Sequence, residues 1–169
     1  DRLCLVQLSG GDGTAHLVKF DGKSYDAPNL KALLADPKTL KIFHFARFDV
    51  AVLEHYLGVV TSPIYCTKIA SKLARTYTDR HGLKDLVREL LGIETSKQQQ
   101  SSDWGAAELS DSQRSYAAND VLHLHALKTR LDEMLARTGR QDLAKAAFGF
   151  LPIRAKLDLL GFEDDIFAH

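Results

Sequence analysis

Residues 41–49 are Lys-Ile-Phe-His-Phe-Ala-Arg-Phe-Asp, and they join a short apolar run to the beginning of a helical pattern. The apolar residues of 41–45 predict a strand, and those that follow are spaced to lie on one face of a helix ending at Gly58. Asp49 falls in the first turn of this helix, at the carboxyl end of the strand, where α/β sheets carry their sites. A carboxylate at this position also complements the helix dipole without any further role. The local sequence leaves both interpretations open.

Strand and helix patterns continue on both sides of this stretch. The apolar run 3–9 and the alternating run 16–20 flank a glycine-rich turn and predict a hairpin, and residues 64–66 predict one more short strand. Five segments show helical spacing or propensity: 28–36, 68–75 with Thr67 as its N-cap, 83–91, a long helix from Ser110 to about Ala136, and 141–150. Strands and helices in this order predict a single α/β domain with a mixed sheet.

Composition and charge exclude several classes of protein. The chain has 169 residues, of which 45% are hydrophobic and 26% are charged, so a disordered, collagen-like or coiled-coil protein is excluded. Lys plus Arg number 22 and Asp plus Glu number 22, and a neutral protein is poorly suited to gripping long duplex nucleic acid through its phosphates. A site for a short oligomer, or one assisted by metal ions, is compatible with this charge.

Cysteine usage and hydropathy bear on the cellular compartment. The two cysteines, Cys4 and Cys66, lie in apolar, strand-like contexts, and we expect two buried thiols rather than a disulfide. No apolar run approaches the ~20 residues that span a bilayer, and no segment resembles a signal peptide. We therefore expect a cytoplasmic protein with no membrane partner.

Two further features carry polar side chains of the types that act in catalysis and ligand binding. Tyr116 and Asp120 lie four residues apart, which places a phenol and a carboxylate on one helix face beside an apolar stripe. A carboxylate there needs a partner, which is either an ordinary hydrogen-bonding group or a cation such as a metal ion. Residues 97–104 are rich in amide and hydroxyl groups and end at Trp104, so they form either a solvated connector or a loop that binds phosphates and sugars.

Three motifs follow one another in the sequence: Phe45-x-x-Phe48-Asp49-x-x-x-Leu53, then Ser102-Asp103-Trp104, then Tyr116-Ala117-x-x-Asp120-Val121. In this order and spacing they resemble the RNase D-like branch of the DEDD 3′–5′ exonucleases. The tyrosine four residues before the last aspartate is typical of the tyrosine-type (DEDDy) subclass. The resemblance covers essentially the whole chain, and residues 66–73, 77–84, 96–104 and 157–169 are similar to a compact member of this branch.

The resemblance implies an RNase H-like fold, with a mixed sheet flanked by helices, and catalysis by two divalent metal ions, Mg²⁺ or Mn²⁺. Asp49 and Asp120 are then metal ligands and Tyr116 orients the attacking water, so these three residues form the catalytic set. The exonuclease domain is predicted at 1–150, and the tail 151–169 is expected to pack in an oligomer. The implied reaction is 3′–5′ hydrolysis of very short RNA, including 5′-phosphorylated dinucleotides, to mononucleotides, by a ring-like homo-octamer.

One part of the family pattern is absent from this sequence. The family carries its first two carboxylates as Asp-x-Glu, on a strand just before the one that begins here at Leu3. Asp1 does not replace that motif, because Arg2 and Leu3 follow it. We therefore expect that the natural beginning and the first strand of the fold are missing, and that a protein beginning at Asp1 is inactive.

Candidate substrate contacts follow from the resemblance and from side-chain chemistry. They are His44, Arg47, Phe48, His81, Lys97, Gln98 and Ser101, with Lys68, Lys72, Arg75 and Arg80 as further candidate phosphate contacts. Each cation is also compatible with an ordinary surface position, and each phenylalanine with an ordinary core position. Two other functions are compatible with the motifs: a catalytically inactive nucleic-acid-binding domain of the same fold, and a DNA proofreading domain.

Overall fold

Four short strands form two pairs in the computed structural model, which describes residues 2–96 and 99–169. β1 (Leu5–Ser9) and β2 (Ala15–Lys19) form the predicted hairpin and are antiparallel. β3 (Lys41–Phe43) and β4 (Ile64–Cys66) are parallel, so the strands have the mixed directions predicted for an RNase H-like α/β fold. Both cysteines are free thiols as expected, but only Cys66 is buried, whereas Cys4 is partly exposed.

Helices cover the strands and provide most of the core. Their bounds are α1 (Pro28–Ala35), α2 (Ala46–Leu57), α3 (Thr67–Ala74), α4 (Leu83–Leu91), α5 (Asp111–Leu122), α6 (Leu124–Arg137) and α7 (Gln141–Leu159). The main core joins β4 to side chains of α2, α3, α4, α6 and α7, and a smaller core joins the hairpin to α1 and α2. In the described part of the chain, no helix is long and apolar enough to cross a membrane.

A cleft separates the two strand pairs. Among residues 2–96 and 99–169, β1 pairs only with β2 and β3 only with β4, so each has one edge without a strand partner. Residues of β1 and β3 line a cavity of about 640 Å³, and its other walls are mostly apolar side chains of α1, α2 and the α5–α6 junction. His44, Asp49 and Asp120 line the same cavity, so the cleft leads to the predicted site residues.

The predicted long helix from Ser110 to Ala136 is wrong, because the structure has two helices there. His123 departs from ideal helical geometry, with φ −102° and ψ −3°, and it separates α5 from α6. This junction allows α5 to pack on β1 and β2, while the leucines of α6 enter the main core. The separate packing of α5 and α6 therefore breaks the helix at His123, although the local sequence favours a continuous helix.

Two other helix ends differ from their predictions. Thr67 is not an N-cap, because β4 runs directly into α3 and the Thr67 hydroxyl donates to the Phe43 carbonyl at 3.1 Å. Helix α7 continues through Pro152 to Leu159 instead of ending at residue 150. The predicted boundary between the domain 1–150 and the tail 151–169 therefore falls inside a helix, and Leu151 still belongs to the main core.

Candidate active site

Asp49 and Asp120 come together at the cleft from two different helices. Asp49 lies in the first turn of α2 and Asp120 in the last turn of α5. Burial, and then the nearby charge of Asp120, raises the pKa of Asp49 to about 7, while burial raises the pKa of Asp120 to about 6. Within the described chain, no hydrogen bond or ion pair stabilises either charge. The two carboxylates therefore favour a bound proton or a bound cation.

This donor set suits a divalent cation. Two partly buried carboxylates repel each other when ionised, and a cation beside them offsets both the repulsion and the cost of burial. Carboxylate oxygens are the ligands that Mg²⁺ and Mn²⁺ prefer in proteins. No group of three or more His, Cys, Asp or Glu side chains that suits a metal occurs among residues 2–96 and 99–169. In the described chain the cleft therefore brings together two carboxylates, Asp49 and Asp120, of the four that the resemblance implies.

A residue in the left-handed conformation begins the helix that carries Asp49. Phe45 has φ 65°, the one positive φ at a non-glycine residue in the described chain, and it directly precedes α2. This conformation costs roughly 1–2 kcal/mol for a residue with a side chain, so the surrounding structure must hold it. Phe45 and Phe48 are 43% and 60% exposed, and the Lys68 ammonium lies 4.3 Å from the Phe45 ring centre. Phe48, a predicted substrate contact, is thus accessible to a ligand.

Tyr116 lies one helical turn before Asp120 on α5. Burial, and then the charge of Asp120, raises the pKa of the Tyr116 phenol, which is therefore protonated at neutral pH. A capping box fixes the start of α5. The backbone N–H of Gln113 donates to the Ser110 hydroxyl at 3.1 Å, and the backbone N–H of Ser110 donates to the side-chain oxygen of Gln113 at 2.8 Å. The prediction that Ser110 begins this helix is confirmed. Trp104 packs beside Tyr116, with ring centres 6.0 Å apart.

Two histidines are held by hydroxyl groups of α3. The Nδ1 atom of His44 lies 2.9 Å from the Thr67 hydroxyl, and burial lowers the pKa of His44 to about 4, so its ring is neutral at pH 7. The Nδ1 atom of His81 lies 2.7 Å from the Ser71 hydroxyl. This arrangement was not predicted, although Thr67, Ser71 and the C-cap residue Arg75 recur every four residues along one buried side of α3. Polar residues four apart along one side of a helix were the sequence signal that could have predicted this buried network.

Two predicted contacts have structural partners. The Arg47 guanidinium donates two hydrogen bonds of 2.7 Å to Asp158 and a third of 3.0 Å to the Glu163 carbonyl. Arg47 therefore ties the start of α2 to the end of the chain. Arg75 is 0% exposed and forms an ion pair with Glu89, so the prediction that it contacts a phosphate is wrong.

The other predicted contacts lie on loops and helix surfaces. Ser101 is exposed in the loop before Trp104, and the side chains of Lys72 and Arg80 are exposed as well. Lys97 and Gln98 lie outside the described residues. A role of these side chains in binding stays a prediction.

Known proteins resemble this chain over most of its length. A 3′–5′ exonuclease family model matches residues 1–136. Ribonuclease D of Gluconacetobacter diazotrophicus is 38% identical over 141 residues, which are 83% of this chain and 35% of that protein. This chain therefore spans about a third of the length of that relative. The solved structure of Brucella melitensis NrnC is 58% identical with a TM-score of 0.97, and the match covers 99% of this chain and 82% of that one.

A more distant solved structure shows the same fold. Escherichia coli RNase D is 28% identical with a TM-score of 0.78, over 89% of this chain and 40% of that one. The family match includes α2 and α5, the helices that carry Asp49, Tyr116 and Asp120. The chain therefore belongs to the 3′–5′ exonuclease family, in its RNase D-like branch.

Proposed function

We propose that the chain is the catalytic part of a metal-dependent 3′–5′ exoribonuclease that degrades very short RNA to mononucleotides. The observation that carries the proposal is the pair of carboxylates, Asp49 and Asp120, which have no partner among residues 2–96 and 99–169, with Tyr116 one helical turn before Asp120. Brucella NrnC, to which this chain is similar over nearly its whole length, has been solved with bound Mg²⁺ and with bound pGG. A short RNA also suits a chain without net charge, because it presents few phosphates.

Each member of the proposed catalytic set has a separate role. Asp49 and Asp120 hold the divalent ions, of which the resemblance implies two. When bound, such ions polarise the scissile phosphate and lower the pKa of an attacking water. The Tyr116 phenol is protonated and hydrogen-bonds to that water, which orients it toward the phosphorus of the terminal phosphodiester. His44 is neutral at pH 7, so it brings no positive charge to the substrate, and its ring is already hydrogen-bonded to the Thr67 hydroxyl and to the backbone of His81.

The cleft is the proposed place of the Asp-x-Glu strand that the resemblance predicts. A strand there gains backbone hydrogen bonds from the free edges of both β1 and β3, and it covers apolar walls. Carboxylates on that strand lie beside Asp49 and Asp120, because both residues line the same cavity. Without carboxylates from such a strand, Asp49 and Asp120 alone are expected to bind metal weakly and to support no hydrolysis.

Groups around the carboxylates are the proposed substrate contacts. Phe48 stacks on a base, because its exposed ring lies one residue from Asp49. The other members of the set are His44, Arg47, His81, Lys97, Gln98 and Ser101. Arg47 reaches a phosphate only when its pairing with Asp158 opens. The set as a whole supplies hydrogen bonds more than charge.

Hydrolysis of short RNAs tests the function. The chain that begins at Asp1 is compared with a version extended at its N-terminus to include the proposed strand, on 5′-phosphorylated RNAs of two to seven nucleotides with Mn²⁺. We expect hydrolysis only by the extended version, loss of that hydrolysis in Asp120→Asn, and the fastest cleavage for the dinucleotide. Binding of these RNAs without hydrolysis would instead support the inactive binding domain, and preference for a DNA dinucleotide would support a proofreading domain.

Assembly is proposed to use the end of the chain. Apolar side chains are exposed there, and Phe162, Ile166 and Phe167 are prominent among them. We expect second copies of the chain to cover these side chains, in the octamer that the resemblance implies. Removal of residues 160–169 leaves the Arg47–Asp158 pair in place, and it is expected to lower the mass measured by light scattering. An unchanged mass would contradict this role.

A further inference from the structure

Residues 99–105 form a loop that we call the tryptophan loop. Two hydrogen bonds join backbone groups within the loop. The Ser102 N–H donates to the Gln99 carbonyl at 3.1 Å, and the Trp104 N–H donates to the Ser102 carbonyl at 3.0 Å. Side chains from elsewhere reach it at few points in the described structure. Lys19 donates a hydrogen bond to the Trp104 carbonyl at 3.3 Å, and the Gln113 side chain donates two more to the loop.

The oxygen and the nitrogen of the Gln113 side-chain amide bind different parts of the structure. Its oxygen accepts from the Ser110 amide at 2.8 Å and completes the cap of α5. Its nitrogen donates to the Ser102 hydroxyl at 2.7 Å and to the Asp103 carbonyl at 3.1 Å. Gln113 is only 8% exposed, so these hydrogen bonds are shielded from water and costly to lose. The amide nitrogen, unlike the oxygen, therefore serves the tryptophan loop alone.

The loop places Trp104 beside the proposed catalytic phenol. The Trp104 and Tyr116 rings have centres 6.0 Å apart and an interplanar angle of 33°. Tyr116 follows Gln113 by three residues on α5, so one helix carries both the phenol and the group that positions its neighbour. We propose that Gln113 is a positioning residue that docks the tryptophan loop on α5 and thereby holds Trp104 against Tyr116.

The consequence for hydrolysis rests on the proposed function, whereas the docking of the loop does not. Trp104 restricts the space available to the Tyr116 ring, and a phenol that orients water acts only from a narrow range of positions. Undocking the loop is therefore expected to lower kcat about tenfold or more, because misplacement by about 1 Å already has effects of this size. KM changes less, because Tyr116 acts on the water rather than on binding.

Gln113→Glu separates the two tasks of this side chain. Glutamate is the usual partner of serine in a capping box, so the cap of α5 is kept. The second carboxylate oxygen replaces the amide nitrogen: the Ser102 hydroxyl becomes the donor in its contact, whereas the Asp103 carbonyl has no proton to donate and is repelled. We expect unchanged helicity by circular dichroism and a displaced loop.

Fluorescence reports the loop directly, because Trp104 is the single tryptophan of the chain. In Gln113→Glu we expect red-shifted emission and at least a doubling of the acrylamide quenching constant. Ser102→Ala removes one of the two hydrogen bonds without adding charge, and it is expected to shift both quantities in the same direction by less. Gln100→Glu is the matched control, since it adds the same charge to the same loop at an exposed side chain.

Each outcome bears on a different part of the inference. Wild-type emission and quenching in Gln113→Glu would overturn the docking role, as would equal changes in Gln100→Glu. Altered fluorescence together with a wild-type kcat, in the version that hydrolyses RNA, would overturn the link to Tyr116. Altered fluorescence in a protein that hydrolyses no RNA in any version would leave the docking supported and contradict the proposed function instead.

Discussion

Replacing Asp49 by asparagine tests whether the cleft is built to hold a cation. The pKa of Asp49 is raised from 3.8 to about 7, first by burial and then by the charge of Asp120. Each pKa unit corresponds to about 1.4 kcal/mol, so the ionised carboxylate destabilises the metal-free fold by up to about 4 kcal/mol. Asparagine keeps the size and removes the charge, but it leaves a partly buried amide that costs about 1–2 kcal/mol. We expect a net gain of about 2 kcal/mol.

The sign and the pH window of this effect follow from proton binding. Between pH 3.8 and about 7 the folded protein holds a proton on Asp49 that the unfolded chain has lost, so stability falls as the pH rises through this window. The increase in the free energy of unfolding caused by Asp49→Asn is therefore expected to grow from near pH 4 to near pH 7 and to stay constant above pH 7. His44 titrates with the opposite effect, but it is present in both proteins and cancels in their difference.

Urea unfolding in the presence of EDTA, at intervals between pH 4.5 and 8.5, measures the difference directly. Mg²⁺ or Mn²⁺ is expected to stabilise the wild type at pH 8 and to stabilise Asp49→Asn less. Asp79→Asn is the matched control, because Asp79 is exposed, and its substitution is expected to have little effect at any pH. A loss of stability in Asp49→Asn that is the same at every pH would refute the reasoning, because a buried charge is then not what the substitution removes.

Three further predictions concern residues around the site. His44→Asn keeps a donor near Thr67 but removes a ring whose pKa is lowered from 6.5 to about 4. The wild type loses stability on acidification between these two pH values, and the variant should lose less, as measured by urea unfolding. Ser71→Ala removes the hydrogen bond to His81 and should lower stability by about 1–3 kcal/mol and change the His81 ring nitrogen shifts in NMR, with recovery in Ser71→Thr. Arg47→Ala removes the hydrogen bond to the Glu163 carbonyl and should hasten proteolysis after residue 159, whereas an unchanged rate would show that Arg47 does not anchor the chain end.

Local patterns were enough to predict most of the elements. The spacing of apolar residues predicted the hairpin, the strand at β3 and the helix ending at Gly58, because these elements bury one face or are bounded by turn residues. The capping box at Ser110 was readable for the same reason, since it joins residues three apart. The junction at His123 was not predicted, because two different packing surfaces determine it and neither is visible in the local sequence.

The candidate site was predictable only in parts. Tyr116 and Asp120 share a helix, so their spacing alone places them on one face. Asp49 is far from them in sequence, and only the resemblance predicted that it joins them. Arg47 was expected in the site, but its partner Asp158 is 111 residues away and no local pattern indicates that pair. Contacts between distant elements are thus what the sequence alone does not supply.

The electrostatics of the cleft lower the stability of the fold and suit the proposed cation site. Burial acts against the charge of Asp49, of Asp120 and of His44, and the shifts of their pKa values all arise beside one cavity. An apolar pair in place of the two aspartates would pack at no such cost, but it would offer no ligand to a cation. The rest of the fold offsets the penalty through a core that includes Leu127 and Leu131, both fully buried. We expect a divalent ion to bind here with a free energy that offsets this penalty, because it would stabilise the ionised carboxylates that burial disfavours.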